Sequence, residues 1–212
     1  MLTPEELERY GRQIPVIGLE NQVKLKNARV LVAGLGGLGS AVSLYLAAAG
    51  IGSLVLVDDG FVELSNLQRQ VLYSTEDVGK PKALVAAEKL KKLNPHINVK
   101  PVTAKLTYEL GEELVREVDI LVDALDNWET RVVLDKLAFK YGKPLVHAGV
   151  EGFYGQLTTI IPGKTPCLRC IFQVQFPRKA ERRVNVVATT PGVLGVLEAN
   201  EVIKLVTGLG EV

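Results

Sequence analysis

Apolar positions along the chain fall into two textures. Short, nearly unbroken runs of Val, Leu and Ile, such as "ARVLVAGL" at residues 28–35, have the pattern of a strand buried on both faces of a parallel sheet. Longer stretches in which apolar residues recur every three or four positions, such as "PKALVAAEKLKKLN" at 81–94, have the period of a helix. The two alternate. Strands are predicted at 28–35, 52–59, 97–104, 119–125 and 143–150, and helices at 36–50, 81–94, 109–118 and 127–142, with short helices at 5–10 and 21–28 ahead of them. Strand–helix–strand alternation at this spacing gives right-handed crossovers and therefore a doubly wound, mostly parallel sheet flanked by helices.

Two stretches break the rhythm. Residues 60–79 form a loop of about twenty residues, long for a compact domain and so a functional candidate. From Tyr154 onward, "YGQLTTIIPG" reads as a strand that pairs differently, an antiparallel extension, and "TPCLRC" as a tight turn. A polar, poorly periodic segment, "RKAERRVNVVATTPG", leads to a closing apolar helix at 192–208. The expected organisation is one domain over 1–212: an N-terminal helical segment at 1–27, a core at 28–150 and a C-terminal extension at 151–212.

Composition narrows the choices. With 212 residues and 47% hydrophobic side chains the chain can bury a substantial core. The net charge of +1, with acids and bases interspersed, gives no case for nucleic acid. No apolar run spans a bilayer, and the charged N-terminus "MLTPEELERYGRQ" lacks a signal-peptide core, so a cytoplasmic protein away from membranes is expected. Two cysteines, Cys167 and Cys170, leave a single CxxC to explain.

The chemistry gathers at the ends of the strands. Gly34, Gly36, Gly37 and Gly39 in "GLGGLG" fit G-x-G-x-x-G between a strand and a helix, where glycines let a phosphate approach backbone amides. Asp58 ends the next strand, where a carboxylate accepts ribose hydroxyls. These features alone fit either NAD(P) or ATP. Arg69 and Lys82 favour a triphosphate, since two cations beyond the adenosine site can neutralise it and stabilise a departing pyrophosphate. Asp126, after the fourth strand, is suited to hold Mg²⁺ with waters completing its shell, although Asp126 or Asn127 could equally cap the following helix.

"RYGRQ", "GLGGLGS", "VDDGFVELSNLQRQ", "VGKPK" and "DALDNWETR" together resemble the ThiF/MoeB/HesA family of adenylating enzymes, relatives of ubiquitin-activating enzymes. The resemblance covers nearly the whole chain, from about Tyr10 to the final helix. It implies a Rossmann-like enzyme that binds ATP and Mg²⁺ and activates the C-terminal glycine of a small ubiquitin-like sulfur carrier ending in Gly-Gly. The product would be an acyl adenylate and pyrophosphate, made for molybdopterin, thiamine or thiolated tRNA. Asp58 would hold the ribose. Asn66, Arg69, Gln70 and Lys82, with the glycines and Asn127, would line the nucleotide, and Asp126 would bind the metal. Arg12 would reach from one subunit into its neighbour's site, which implies a homodimer. The attacking carboxylate is already ionised, so no general base is needed.

Some features depart from the family pattern. A second acid common in the family falls at Gly60, beside Asp59, and the polar segment carries no cysteine for covalent transfer. Family zinc sites use two CxxC pairs, and "CLRC" matches only the first. The pair is read as half of a structural zinc site, with a redox pair as its alternative. His147 is expected to be a hydrogen-bonded core residue, His96 to be exposed, and Trp128 and Tyr154 to pack. The carrier tail has two candidate channels, residues 178–190 and the strand from Tyr154. Two rival functions stand beside adenylation: an NAD(P)-dependent oxidoreductase, which leaves Arg12, Asn66, Arg69, Lys82 and Asp126 unexplained, and a non-catalytic docking half of a heterodimeric activating enzyme.

Overall fold

A computed structural model describes residues 1–172 and 185–212. Three helices open it: α1 (Pro4–Arg9), α2 (Ile14–Ile17) and α3 (Leu19–Asn27). Thr3 caps α1 in a full capping box with Glu6, satisfying two of the amides that a helix start leaves free. The core then alternates as expected: β1 (Arg29–Ala33), α4 (Gly37–Ala49), β2 (Ser53–Val57), α5 (Lys82–Leu93), β3 (Asn98–Val102), α6 (Tyr108–Arg116), β4 (Ile120–Asp123), α7 (Trp128–Tyr141) and β5 (Leu145–Glu151). It ends in β6 (Tyr154–Ile160), α8 (Leu168–Phe172) and α9 (Thr189–Thr207).

The six strands lie in the order β3-β2-β1-β4-β5-β6. The first five are mutually parallel and β6 returns antiparallel to β5, so both the doubly wound sheet and its antiparallel extension are present. Strand residues feed two cores by turns, because successive side chains point to opposite faces. Val30, Val32, Leu54 and Leu56 pack with α4, α5 and α9 on one face. Leu31, Ala33, Val55 and Val57 pack with α6 and α7 on the other. That is why these strands read as continuous apolar runs.

Several expectations are corrected in detail. The helix at Ile14–Ile17 is too short to leave a periodic signal. The loop at 60–79 is ordered by two single-turn helices, Leu64–Asn66 and Thr75–Asp77, and by a bridge between Phe61 and Pro81. Burial by itself would raise the Asp77 carboxyl, but hydrogen bonds from Lys89 and Ser74 hold it well below the usual carboxylate range. The CxxC is no simple turn: Cys167 precedes α8, whose first amide, at Leu168, donates to the buried Asp135 carboxylate at 3.2 Å. The last helix starts at Thr189, earlier than its apolar period begins, because Thr190 Oγ1 donates to Gly152 O at 3.0 Å. His96 is half-buried, 3.5 Å from Glu5. Of the candidate channel at 178–190, residues 178–184 lie outside the described residues.

α9 carries an unusual cost. Glu198 is fully buried, and among the described residues no side chain hydrogen-bonds to either carboxylate oxygen. Burial pushes its carboxyl well above the ordinary range, Asp123 adds to the shift, and Arg131 opposes it. A carboxyl whose folded value is raised binds more protons folded than unfolded, so stability falls as pH rises from about 4.5 towards that folded value. Replacing Glu198 by Gln removes this dependence. Urea unfolding of E198Q at a series of pH values should show higher stability than wild type at neutral pH and a flatter profile; parallel profiles would show that Glu198 is ionised in the folded protein.

Candidate active site

The loops that leave the carboxyl ends of β1, β2 and β4 meet in one cleft, the place where open α/β sheets bind ligands. Each glycine of the first loop answers a different constraint. Gly34 has φ +89°, and a Cβ there would lie 2.6 Å from Ala124 O, so β1 and β4 approach as closely as backbone allows. A Cβ on Gly39 would lie 1.9 Å from Gly34 O, which is incompatible with this start of α4. Gly37 sits against Pro191 and Arg69. Gly36 alone faces open space: its nearest neighbour would be Gln70 Nε2, at 3.8 Å. That opening, at the amide-rich start of a 13-residue helix with no side-chain cap, fits a phosphate.

Asp58 holds this loop in shape. Its Oδ2 accepts from Leu35 N and its Oδ1 from Gly60 N, both at 2.7 Å. The next peptide is held too, since Tyr73 Oη donates to Leu35 O at 3.0 Å. Burial, with Asp58 adding to it, raises the Tyr73 phenol, so it stays a donor. Tyr73 was missed from sequence; its one signal was an aromatic residue in a polar loop. Lys82 lies beside Gly60 and Asp58: a Cβ on Gly60 would be 3.0 Å from Asp58 Oδ1 and 3.5 Å from Lys82 Nζ. An acid at position 60 would have to displace one of them.

The remaining loop residues divide by role. Gln70 is buried with Oε1 unpartnered, and its Nε2 faces Gly36. Arg69 is half-buried, and Nη1 donates only to Ser65 O, 3.2 Å away, within its own loop. Asn66 is buried, and Oδ1 accepts from Glu63 N at 3.2 Å, a bond that forms the turn.

Across the cleft, Asn127 Oδ1 accepts from Thr130 N at 2.9 Å and caps α7. Asp126, its neighbour, is exposed, and among the described residues its one side-chain hydrogen bond is from Asn127 Nδ2, at 3.4 Å. Its carboxylate oxygens are hard donors, the type that suits Mg²⁺ shared with phosphate and water. Below it, Asp123 Oδ2 and His147 Nδ1 pair at 2.7 Å, fully buried, with Phe172 against the imidazole. His147 is thus the core residue expected, and Trp128 packs edge-on against Phe172. Tyr154, expected to pack, is 84% exposed at the start of the edge strand.

Two expected groups lie elsewhere. Arg12 is exposed between Tyr10 and Gln13, which are anchored at the far ends of α4 and α5: Tyr10 Oη accepts from Asn94 Nδ2 at 2.8 Å, and Gln13 Nε2 donates to Ala49 O at 2.9 Å. The 13 residues of α4, about 20 Å of helix, separate Arg12 from its own glycine loop. Cys167 and Cys170 are also remote from the phosphate cradle, with their sulfurs 3.4 Å apart. Burial acts to raise the Cys167 thiol, but hydrogen bonds from Cys170 and the Arg169 amide bring it below its ordinary value. Two thiols do not complete a tetrahedral set, and among the described residues no three His, Cys, Asp or Glu side chains are placed to share an ion. No step is assigned to zinc.

A Gly-rich turn between β1 and α4, a strand-end carboxylate that accepts its amides and two cations beside it are features of a nucleotide-binding α/β protein. The comparisons agree: the chain belongs to the ThiF family, whose profile matches residues 10–212. It is 44% identical over 99% of its length to the sulfur carrier protein adenylyltransferase of Thermus thermophilus, spanning 81% of that protein. It is 41% identical over 98% of its length to the sulfur carrier protein ThiS adenylyltransferase of Escherichia coli, spanning 84% of that one. A crystal structure of E. coli MccB with ATP superposes with a TM-score of 0.83 at 30% identity; the match covers 96% of this chain but only 64% of that one. Among the described residues no helix is long and apolar enough to cross a membrane.

The two glycine constraints separate experimentally. Gly36→Ala should fold with a melting temperature close to wild type yet lose ATP affinity by at least about tenfold in calorimetry, because its methyl fills the phosphate opening. Gly39→Ala should unfold at markedly lower urea or fail to accumulate, since its methyl meets backbone. Equal ATP affinity in Gly36→Ala and wild type would place the phosphates elsewhere.

Proposed function

We propose that this chain is an ATP-dependent adenylyltransferase that activates the C-terminal glycine of a small ubiquitin-like sulfur carrier. What supports the reading most is the Gly36 opening beside Gln70, with Arg69 against Gly37 and Lys82 beside Asp58 and Gly60, a set that an NAD(P) enzyme does not require. The relatives named as sulfur carrier protein adenylyltransferases support the acceptor.

The chemistry follows from charge. A carboxylate oxygen of the carrier's terminal glycine attacks the α-phosphorus; an O–P bond forms, the bond to the β-phosphate breaks, and pyrophosphate leaves with the electron pair. The backbone amides around Gly36 bind phosphate oxygens, and Asp58 orients the ribose end. Arg69 and Lys82 stabilise the charge that builds on the departing pyrophosphate. Bound Mg²⁺, held by Asp126, supplies further neutralisation of the phosphates. In a low-dielectric cleft these fixed charges act strongly because they need no reorganisation during the step.

Arg12 completes the set only if a second subunit brings it. Its position at the opposite end of α4 rules out reach to its own cleft, whereas in a twofold dimer each Arg12 could enter the neighbour's site. The working form proposed is therefore a homodimer with shared sites.

Exchange of labelled pyrophosphate into ATP, with Mg²⁺ and candidate Gly-Gly carriers, tests the reading directly. Carrier-dependent exchange is expected, and Arg69→Ala and Asp126→Ala should each slow it on the order of 10²- to 10³-fold while both proteins remain folded. Exchange at the wild-type rate in both variants would overturn the assignments.

Mixing separately inactive Arg12→Ala and Asp126→Ala proteins tests the dimer. Each mixed dimer holds one intact site, so about a quarter of wild-type activity should return after subunit exchange. No recovery in mixtures shown to form mixed dimers would argue that Arg12 does not act across subunits.

A further inference from the structure

Beneath the Asp126 loop lies a buried charge cluster that the reaction scheme does not use. Asp123 ends β4, His147 lies on β5, Arg131 on α7 and Glu198 on α9, and all four are buried. We propose that Arg131 is a positioning residue for the metal ligand: together with Asp123 it fixes the two peptides that flank Leu125, and so presents Asp126 to the phosphates. This rests on the reading of Asp126 as the Mg²⁺ ligand.

The geometry is a clamp on one residue, through the peptides on either side of it. Leu125 N donates to Asp123 Oδ1 at 3.1 Å. Leu125 O accepts from Arg131 Nη2, and the same nitrogen donates to Ala148 O, 3.3 Å away, in the middle of β5. One guanidinium therefore ties the β4–α7 loop to the next strand.

The cluster is arranged to keep this guanidinium in place. Arg131 Nε stands 3.7 Å from Asp123 Oδ1, and the guanidinium lies 5.4 Å from the centre of the Trp128 ring. Asp123's second oxygen is occupied by His147, which fixes the carboxylate's orientation. Glu198 has no hydrogen bond to Arg131, whereas the Asp123 carboxylate lies beside the guanidinium. A buried cation is a poor source of stability. Its directed bonds go to the two carbonyls that border the metal loop, and groups that orient a ligand commonly change metal affinity 10- to 100-fold when lost.

Lysine at this position keeps the charge but, as a point charge, cannot span both carbonyls as the planar fork does. The readout is the gain in ATP affinity on adding Mn²⁺, measured by calorimetry on the whole chain, with hydrogen exchange of the Leu125 and Asp126 amides beside it. In Arg131→Lys the metal-free ATP affinity should match wild type, the gain with Mn²⁺ should shrink about tenfold, and the two amides should exchange faster. Glu198→Gln, which perturbs the same cluster without touching Leu125, should keep the full gain.

A full Mn²⁺ gain in folded Arg131→Lys, or the same loss in Glu198→Gln, would overturn the proposal. Arg131→Gln, shorter and neutral, is the second variant; failure of both to fold would assign Arg131 to stability alone and overturn it equally. Asp126→Asn separates the two levels. If it retains the Mn²⁺ gain, the metal assignment itself fails; if it loses the gain while Arg131→Lys keeps it, only the clamp fails.

Discussion

The site depends on two carboxylates at strand ends that accept backbone amides from the loops above them. Asp58 takes Leu35 N, and Asp123 takes Leu125 N. In each case a second side chain holds the carbonyl of the same residue, Tyr73 for Leu35 and Arg131 for Leu125. Hydrogen bonds to charged groups contribute about 1.5 to 3 kcal/mol each, enough to suppress the alternative conformations that a glycine-rich loop would otherwise sample. Without these clamps the amides around Gly36 and the carboxylate of Asp126 would have to be ordered by the nucleotide itself, at an entropic cost taken from binding.

Close backbone approach sets the cleft's dimensions. Gly34 lets β1 and β4 come together at Ala124, Gly39 lets α4 start against the strand, and Gly195 lets α9 lie on Leu38 O. α9 then brings Pro191 over Gly37, so the last helix of the chain forms a wall of a site whose cradle begins near residue 34. The N-terminal segment is fixed at the opposite edge, where Tyr10 packs on Gly50, and this separation makes a second subunit part of the proposed chemistry.

Much of this could be read from residue order. Continuous apolar runs marked the parallel strands, because both of their faces are covered, and the glycine spacing, Asp58, Arg69, Lys82 and Asp126 marked the cleft. What escaped was whatever depends on a distant partner. Tyr73 and Arg131 have ordinary neighbours in sequence and act through Leu35 and Leu125. Asn66 and Asn127, read as nucleotide contacts, also have local structural roles, since their side-chain oxygens accept amides that form a turn and cap α7. The CxxC became the entry to a short helix because Asp135, over thirty residues away, holds its first amide.

By itself, then, the sequence determined the alternation of elements, the parallel sheet and the motifs that nominate groups for a nucleotide, since these follow from local period and from chemistry carried within single motifs. Only the tertiary structure decided which peptides are held rigid, which glycine opens towards a phosphate and which end of the molecule carries Arg12. Those outcomes come from contacts between segments remote in the chain, whose distances no local pattern encodes.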